Sequence, residues 1–347
     1  RARARARAGT RQRARRRAGT MGKLALDAAE VLVPAADGKL RLHAWLYVPE
    51  DRPAAGAPIL VMAHGFGAQK DFGLNRSAQH FAAGGIAVLL FDYRHWGLSE
   101  GEPNHLLNVA KQHQDYFAVL DFCFDGLGAA LEAHGLDKRA VNPDRLAIFG
   151  SSFSGGHVIA VAATYKRKER IKAVVSQVPF SGGEHSVPAL IKHCGILWLL
   201  RVAAHALYDG LRGLLGLERH YIPILSSRDG SPLPAVPILC TAECVKYWDI
   251  IPNKPIGGWK NRLPAWIGLT MALYRPHTLA HKVTAPVLGL YSPTDSLCPV
   301  RGVLSMFSKV RGPVQLEELA GGHFGAYVQD FDKAMALELG FLRKHLA

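Results

Sequence analysis

The stretch RLAIFGSSFSGGHVIAVAA, residues 145–163, joins a short apolar run to a turn rich in serine and glycine and then to a helix-like pattern. A strand that enters a helix through such a turn exposes one serine at the corner, which favours a nucleophile there. The residues two positions before and after that serine crowd together, so they must be small. Two frames meet this condition, one centred on Ser152 and one centred on Ser154.

The end of the apolar run decides between the two serines. The run ends at Phe149, and a nucleophile at the tip of the corner follows such a strand within about three residues. Ser152 fits, with Gly150 in the tight backbone position. Ser154 falls in the first turn of the helix, where its hydroxyl would cap the helix. We therefore predict Ser152 as the nucleophile.

Apolar segments alternate with helical patterns on both sides of this stretch. A hairpin with an Asp37-Gly38 turn comes first, and continuous apolar strands buried on both faces follow, which is typical of a parallel sheet covered by helices. The fold class is therefore α/β, with a mostly parallel sheet flanked by helices. The predicted strands after the hairpin are 58–65, 86–93, 146–149, 171–180, 285–295 and 314–323. The predicted helices are 74–83, 107–131, the one after the corner, one between the last two strands and a last one to 346.

The alternation stops at about residue 181 and resumes near 284. We predict a core formed by 21–180 and 284–347, with a mainly helical cap, 181–283, inserted between two strands. Residues 1–20 hold nine arginines and no acid, so removing them reduces the net charge from +14 to 14 − 9 = +5. An arginine-rich arm, a transit peptide and translated upstream sequence before Met21 all fit this tail. We favour the last, and expect the tail to be disordered.

Composition indicates whether the protein spans a membrane, in which compartment it lies and whether it binds a metal or cofactor. No run of 18 apolar residues occurs, so no membrane span is expected. The five cysteines are odd in number and lack the spacing of a zinc site, which favours reduced, mostly buried thiols in a cytoplasmic protein. We expect no metal and no cofactor. Nucleic-acid binding is not expected of the core.

A nucleophilic serine needs a base that a third group orients. Asp295 follows one predicted strand and His323, on a glycine-flanked loop, follows the next. Catalytic groups gather at the carboxyl ends of strands in open α/β sheets, and the order Ser, Asp, His is one that this kind of corner uses. We predict that Ser152, Asp295 and His323 form a catalytic triad.

A glycine-rich loop, residues 64–73, follows an earlier strand. Backbone amides of such a loop donate hydrogen bonds to an oxyanion. We predict the amides of Phe66 and Phe153 as the oxyanion hole, with Gly67 as the alternative second donor. His64 is interpreted as structural.

A charged motif, FDYR, follows the next strand. We interpret its Asp92 and Arg94 as an ion pair that shapes the loop, since that is the commoner role of such residues.

These motifs resemble the α/β-hydrolase superfamily from Leu24 to Leu346. The likeness is to the group described as serine aminopeptidase-like or Xaa-Pro dipeptidyl-peptidase-like, which includes polyketide transferases and thioesterase-like enzymes. The motifs that carry it are HGF at 64–66, FDYR at 91–94, SEG at 99–101, GSSFSGGH at 150–157 and GGHFGAY at 321–327. The resemblance implies the same triad of Ser152, Asp295 and His323.

The function predicted is a serine hydrolase that cleaves an ester or thioester of a small apolar acyl substrate. An acyltransferase with the same triad, a serine peptidase and a non-catalytic binding module are the alternatives. The apolar runs 196–200 and 265–269 are expected to contribute to the roof of the acyl pocket. The oligomeric state is left open, and a homodimer is one state that the sequence allows.

Overall fold

The computed structural model describes residues 28–229, 231, 233 and 235–347. The arginine-rich tail and Met21 lie outside the described residues, so the expectations for them are not tested.

One eight-stranded sheet forms the centre of the protein. Its strand order is β1-β2-β4-β3-β5-β6-β9-β10. Strand β2 runs antiparallel to both of its neighbours, and the pairs from β4 to β10 are parallel. The strands of the sheet are β1 Ala29–Pro34, β2 Arg41–Tyr47, β3 Ala57–Ala63, β4 Ala87–Phe91, β5 Val141–Ser151, β6 Ile171–Gln177, β9 Val287–Tyr291 and β10 Val314–Glu318. The short strands β7 Tyr221–Ile222 and β8 Leu263–Pro264 form a separate pair.

Nine α-helices lie within the described residues. They are α1 Leu74–Ala83, α2 Val109–Asp125, α3 Leu127–Ala133, α4 Phe153–Thr164, α5 Gly183–Cys194, α6 Ile196–Leu214, α7 Ile267–Leu273, α8 Val300–Phe307 and α9 Phe331–His345. The single helix predicted over 107–131 is two helices, because Gly126 ends α2 and begins α3.

The central strands bury both of their faces. In β3, Ile59 and Val61 pack in one apolar cluster with residues of α2 and α4. Leu60 and Met62 point the other way, into a second cluster with residues of α1 and α9. Alternate side chains of a strand point to opposite faces, so a continuous apolar run needs a cover on each side. The predicted α/β fold is confirmed.

Residues between β6 and β9 include helices α5, α6 and α7, the β7–β8 pair and several 3-10 helices. A disulfide joins Cys194, the last residue of α5, to Cys240. The prediction that all five cysteines are reduced thiols is therefore wrong for these two. The two cysteines are 46 positions apart in the sequence, and the fold brings their Cα atoms to 6.2 Å. Sequence spacing alone therefore did not indicate the pairing. The other three cysteines are free and buried.

No single helix among the described residues has both the length and the apolar character to cross a membrane. Helices α5 and α6 meet that test only when taken together, and they are bent by 120° at their junction.

Candidate active site

Ser152 occupies the corner between β5 and α4, with φ of 56° and ψ of −117°. A positive φ is unfavourable for a residue with a side chain and needs close support from its neighbours. The packing leaves no room for a side chain at position 150, before the corner, or at position 65, on the loop after β3. A Cβ on Gly150 would collide with the Ser154 carbonyl, and a Cβ on Gly65 would lie 2.9 Å from the Ser152 Cβ. The small residue expected two positions before Ser152 is therefore required by contact.

Ser154 lies in the first turn of α4, as predicted, and is fully buried. Its hydroxyl does not cap the helix. It donates a hydrogen bond to the His64 carbonyl at 2.6 Å and contacts the Tyr93 hydroxyl at 2.7 Å. The Ser154 side chain therefore links the loop after β3 to the segment after β4.

The structure brings Ser152, His323 and Asp295 together from three separate loops. The His323 Nε2 lies 2.8 Å from the Ser152 Oγ, and the His323 Nδ1 lies 2.7 Å from an Asp295 carboxylate oxygen. The other Asp295 oxygen accepts hydrogen bonds from the backbone N–H groups of Leu297 and Cys298. An ionised carboxylate only accepts, so the Nδ1 carries a proton and the Nε2 is left to accept one from the serine.

The electrostatic surroundings of His323 favour a proton on its ring. Burial acts to lower the pKa of His323, but the charge and hydrogen bond of Asp295, together with the charge of Glu243, leave the pKa raised above its usual value. A base with a raised pKa accepts a proton more strongly.

The loop after β3 is held against the corner by hydrogen bonds from distant residues. The Tyr247 hydroxyl donates to the Phe66 carbonyl and the Trp259 indole donates to the Gly67 carbonyl, each at 2.9 Å. Within the part of the chain that the structure describes, the Phe66 and Phe153 amides have no acceptor. Neither amide is therefore used by the described backbone hydrogen bonds.

His64 lies beneath this loop and is buried. Burial lowers the pKa of His64 to about 4, so its ring is neutral at neutral pH. The ring Nδ1 lies 3.1 Å from the Gly65 carbonyl, and the Nε2 accepts a hydrogen bond from the Tyr93 backbone amide. These contacts fit the structural role expected for it.

Asp92 and Arg94 do not form the predicted ion pair. The Asp92 carboxylate pairs with the fully buried Lys70 ammonium group, while the Arg94 guanidinium binds the Asp115 carboxylate at 2.6 Å and the Asp37 carboxylate at 3.0 Å. A buried charge needs its own partner. Lys70 is that partner for Asp92, and Asp115 is that partner for Arg94.

An apolar pocket of about 690 Å³, including its mouth, opens above the Ser152 hydroxyl. Ser152 and His323 line its floor. Its walls are mainly aromatic and aliphatic and include Phe72, Phe153, Phe180, Leu190, Met271 and Phe324. Pockets of this apolar character suit small molecules.

The apolar runs expected in the roof of this pocket do not line it. Ile196, Leu197 and Leu200 are more than half exposed on the outer face of α6. The segment between β6 and β9 lines the pocket instead with other residues, namely Ser186, Leu190, Leu239, Tyr247, Ile250 and Met271. Helical periodicity shows that a helix has an apolar face but not what that face contacts.

Cys298 also lines the pocket, beside the triad. Burial, and then the charges of Asp295 and Glu243, raise the pKa of the Cys298 thiol well above its usual value. A neutral thiol is a poor nucleophile, so Cys298 does not compete with Ser152.

Glu243 is the site residue that the sequence does not reveal. It lies on the 3-10 helix Ala242–Asp249, and its carboxylate accepts a hydrogen bond from the His323 backbone amide at 2.5 Å. The two residues are 80 positions apart, and no motif surrounds the glutamate.

Comparisons with known proteins show which family the chain belongs to. A family model described as X-Pro dipeptidyl-peptidase (S15 family) matches residues 37–198. The quorum-quenching protein AidA of Acinetobacter baumannii is 31% identical over 306 residues, which cover 88% of this chain and 91% of that protein. The chain belongs to the α/β-hydrolase superfamily. The resemblance inferred from the motifs is thereby confirmed.

Two fungal proteins are also similar to this α/β hydrolase over nearly their whole length. The thiohydrolase aneE of Aspergillus aculeatus is 26% identical, covering 92% of this chain and 94% of that protein. The polyketide transferase grgF of a Penicillium species is 28% identical, covering 93% and 98%. A crystal structure of the α/β hydrolase GrgF from Penicillium covers 92% of this chain with a TM-score of 0.71 at 23% identity, which shows the same fold.

Proposed function

We propose that this α/β hydrolase is a serine hydrolase that cleaves an ester or thioester of a small apolar acyl group through an acyl-enzyme. One observation carries the proposal. The Ser152 hydroxyl lies 2.8 Å from the His323 ring, at the floor of an apolar pocket, while the far side of that ring contacts the Asp295 carboxylate at 2.7 Å.

In the first step the Ser152 oxygen attacks the acyl carbonyl carbon, and its proton moves to the His323 Nε2. The carbonyl oxygen becomes an oxyanion, which the Phe66 and Phe153 amides stabilise; Gly67 is the alternative to Phe66. As the tetrahedral intermediate collapses, His323 returns the proton to the leaving alcohol or thiol, and an acyl ester remains on Ser152.

In the second step a water molecule attacks the acyl ester and gives its proton to His323. The acid is released, and the Ser152 oxygen recovers the proton. Asp295 stays ionised throughout, holding the ring in the productive tautomer and stabilising the imidazolium that forms twice in the cycle.

The names of the relatives support a small-molecule acyl substrate. They include a quorum-quenching protein and a thiohydrolase. The matching family model is described by a peptidase activity, yet the pocket wall contains no lysine, arginine, aspartate or glutamate among its described lining residues. A charged peptide terminus would lose hydration there without gaining a partner, which favours the ester or thioester over the peptide.

Acyl transfer is the second candidate function. The likeness to a polyketide transferase favours it, because transfer and hydrolysis share the acyl-enzyme and differ only in the molecule that attacks it. An alcohol or amine that reaches Ser152 before water would receive the acyl group.

The test is a series of p-nitrophenyl esters and matched thioesters of increasing acyl length. Each methylene buried in an apolar pocket contributes about 0.8 kcal/mol, so kcat/KM should rise roughly fourfold per carbon until the pocket is full. Ser152→Ala should abolish turnover, whereas Ser154→Ala, two residues away and turned from the pocket, should retain much of it.

The same assay separates the alternatives. Small alcohols and amines are added to the reaction at a saturating ester concentration. If the protein is a hydrolase, the free acid should remain the main product. If the new acyl ester or amide dominates, the protein is a transferase. A flat chain-length profile, or efficient cleavage of free peptide N-termini, would contradict the proposed substrate class.

A further inference from the structure

Glu243 contacts both of the loops that carry the proposed acid and base. One of its carboxylate oxygens accepts a hydrogen bond from the His323 backbone amide at 2.5 Å. The other accepts from the Ser296 backbone amide at 3.0 Å and from the Ser296 hydroxyl at 2.7 Å. Ser296 directly follows Asp295, so a single side chain ties the aspartate loop to the histidine loop.

The histidine loop is shaped to receive this carboxylate. Gly322, immediately before His323, has φ of 71°, and a Cβ there would collide with a Glu243 oxygen. Any side chain at position 322 would therefore displace Glu243, in addition to the strain of a positive φ. The glycine before the histidine is thus explained by contact with a residue of another segment.

Glu243 belongs to the chain between β6 and β9, which also supplies part of the pocket wall. Leu239 and Tyr247 flank it in sequence and line the pocket. A segment that shapes the substrate pocket therefore also contacts the two loops on which proton transfer depends.

We propose that Glu243 is a positioning residue that fixes His323 relative to Asp295 and whose negative charge strengthens the base. The inference rests on the proposed function, since it assigns Glu243 to the triad that the proposed function uses. Glu243 does not touch substrate and acts through the two loops that it joins.

Apart from Asp295 and Glu243, few charged groups lie near the His323 ring. Burial lowers the pKa of His323, but the charge and hydrogen bond of Asp295 and the charge of Glu243 leave it raised. The titratable groups around this ring and in the same pocket are Asp295, Cys298, Glu243, His64, Tyr247 and Tyr327. Burial favours the neutral form of Cys298, His64, Tyr247 and Tyr327, so the two carboxylates dominate the field at the imidazole.

Glu243→Gln tests the proposal with little change in shape. A glutamine accepts with one oxygen only, so its NH₂ group must face one of the donors on the two loops. The readout is the rate constant for labelling by a fluorophosphonate, measured across pH, because this probe needs no knowledge of the natural substrate. Asp249→Asn, on the same 3-10 helix but exposed, is the matched control.

We expect Glu243→Gln to label on the order of 10- to 100-fold more slowly, as for other small displacements of catalytic groups. Its acid limb should also shift to lower pH, because removing a nearby negative charge lowers the pKa of His323. Asp249→Asn should match the wild type in both rate and pH profile. A purely structural contact would leave the acid limb where it is.

Ser296→Ala keeps the charge but removes one of the three hydrogen bonds. It should label several-fold more slowly with the acid limb unchanged, and it serves as the test if Glu243→Gln does not fold. Labelling of Glu243→Gln within twofold of wild type, or slower labelling with an unmoved acid limb, would overturn the proposal. If Glu243→Gln does not fold, labelling of Ser296→Ala at the wild-type rate would also overturn the proposal. A wild-type protein that is not labelled at Ser152 would instead overturn the proposed function itself.

Discussion

Ser152 has a backbone conformation that residues with a side chain rarely adopt, and contacts on both sides maintain it. The strain appears in the sequence as a cluster of small residues, so the position of the corner is predictable from Phe149 and the glycines around it. The roles of Asp92, Arg94 and Glu243 were not predictable in this way. Each has partners far away in the chain, and a short motif contains no information about such partners.

Asp295→Asn tests the proposed orienting acid. The asparagine oxygen still accepts from the Leu297 and Cys298 amides, so the variant should fold. Its NH₂ group, however, faces the His323 Nδ1 and favours the tautomer whose Nε2 already carries a proton. We expect kcat to fall on the order of 10⁴-fold, with an unchanged circular dichroism spectrum. A near-normal kcat would remove Asp295 from the catalytic group.

At the scale of elements, the strands and helices of the core follow the hydrophobic pattern closely. Helix α1 matches the predicted range 74–83, and every predicted strand of the sheet is present. The segment between β6 and β9 agrees less well with its sequence pattern. An apolar run such as 196–200 forms a helix, but its packing depends on which neighbouring element covers it, and here three of its five residues remain more than half exposed.

The Cys194–Cys240 disulfide ties α5 to the segment that leads to Glu243. Residues on both sides of it, Leu190 and Leu239, line the pocket. A native cross-link typically contributes about 2–4 kcal/mol to the free energy of unfolding. Replacing both cysteines by alanine should lower that free energy by a similar amount, measured by urea denaturation.

Thiol counting provides the control for this prediction. The denatured, unreduced wild type should show three free thiols, since Cys123, Cys244 and Cys298 are unpaired. A reducing agent should lower the melting temperature of the wild type but not that of the double variant. A count of five thiols would contradict the disulfide and support the sequence-based prediction that the cysteines are reduced.

At the scale of the whole molecule, the parallel sheet gathers distant residues at one edge. Ser152 follows β5, Asp295 follows β9 and His323 follows β10, and the carboxyl ends of parallel strands share an edge. The sequence therefore predicted which residues meet once it predicted the sheet. It did not predict the partner of each buried charge, because those pairings depend on packing between elements.

Buried histidines make the folded protein sensitive to acid. Burial lowers the pKa of six of them, to about 4 for His64, His95, His105 and His113, well below the usual value for His157, and below the usual value for His43. Unfolding restores a pKa near about 6.5, so the unfolded chain binds more protons between these values. Their contribution to stability is complete above about pH 6.5 and is lost as the pH falls toward about 4.

Four groups oppose this trend, because their folded-state pKa is raised; they are Asp71, Asp115, Glu338 and His323. Six histidines outweigh four opposing groups, so the free energy of unfolding should be smaller at about pH 5 than at about pH 7.5. Urea denaturation at the two pH values measures the difference. Equal or greater stability at the lower pH would show that the histidines are protonated in the folded state.

The central claim is that Ser152 is an activated nucleophile, and labelling with a fluorophosphonate followed by peptide mapping tests it most directly. The probe reacts with serines whose proton a nearby base removes. We expect one adduct, on Ser152, which is lost in Ser152→Ala and retained in Ser154→Ala. An adduct on Ser154, or a folded wild-type protein with no adduct, would contradict the claim.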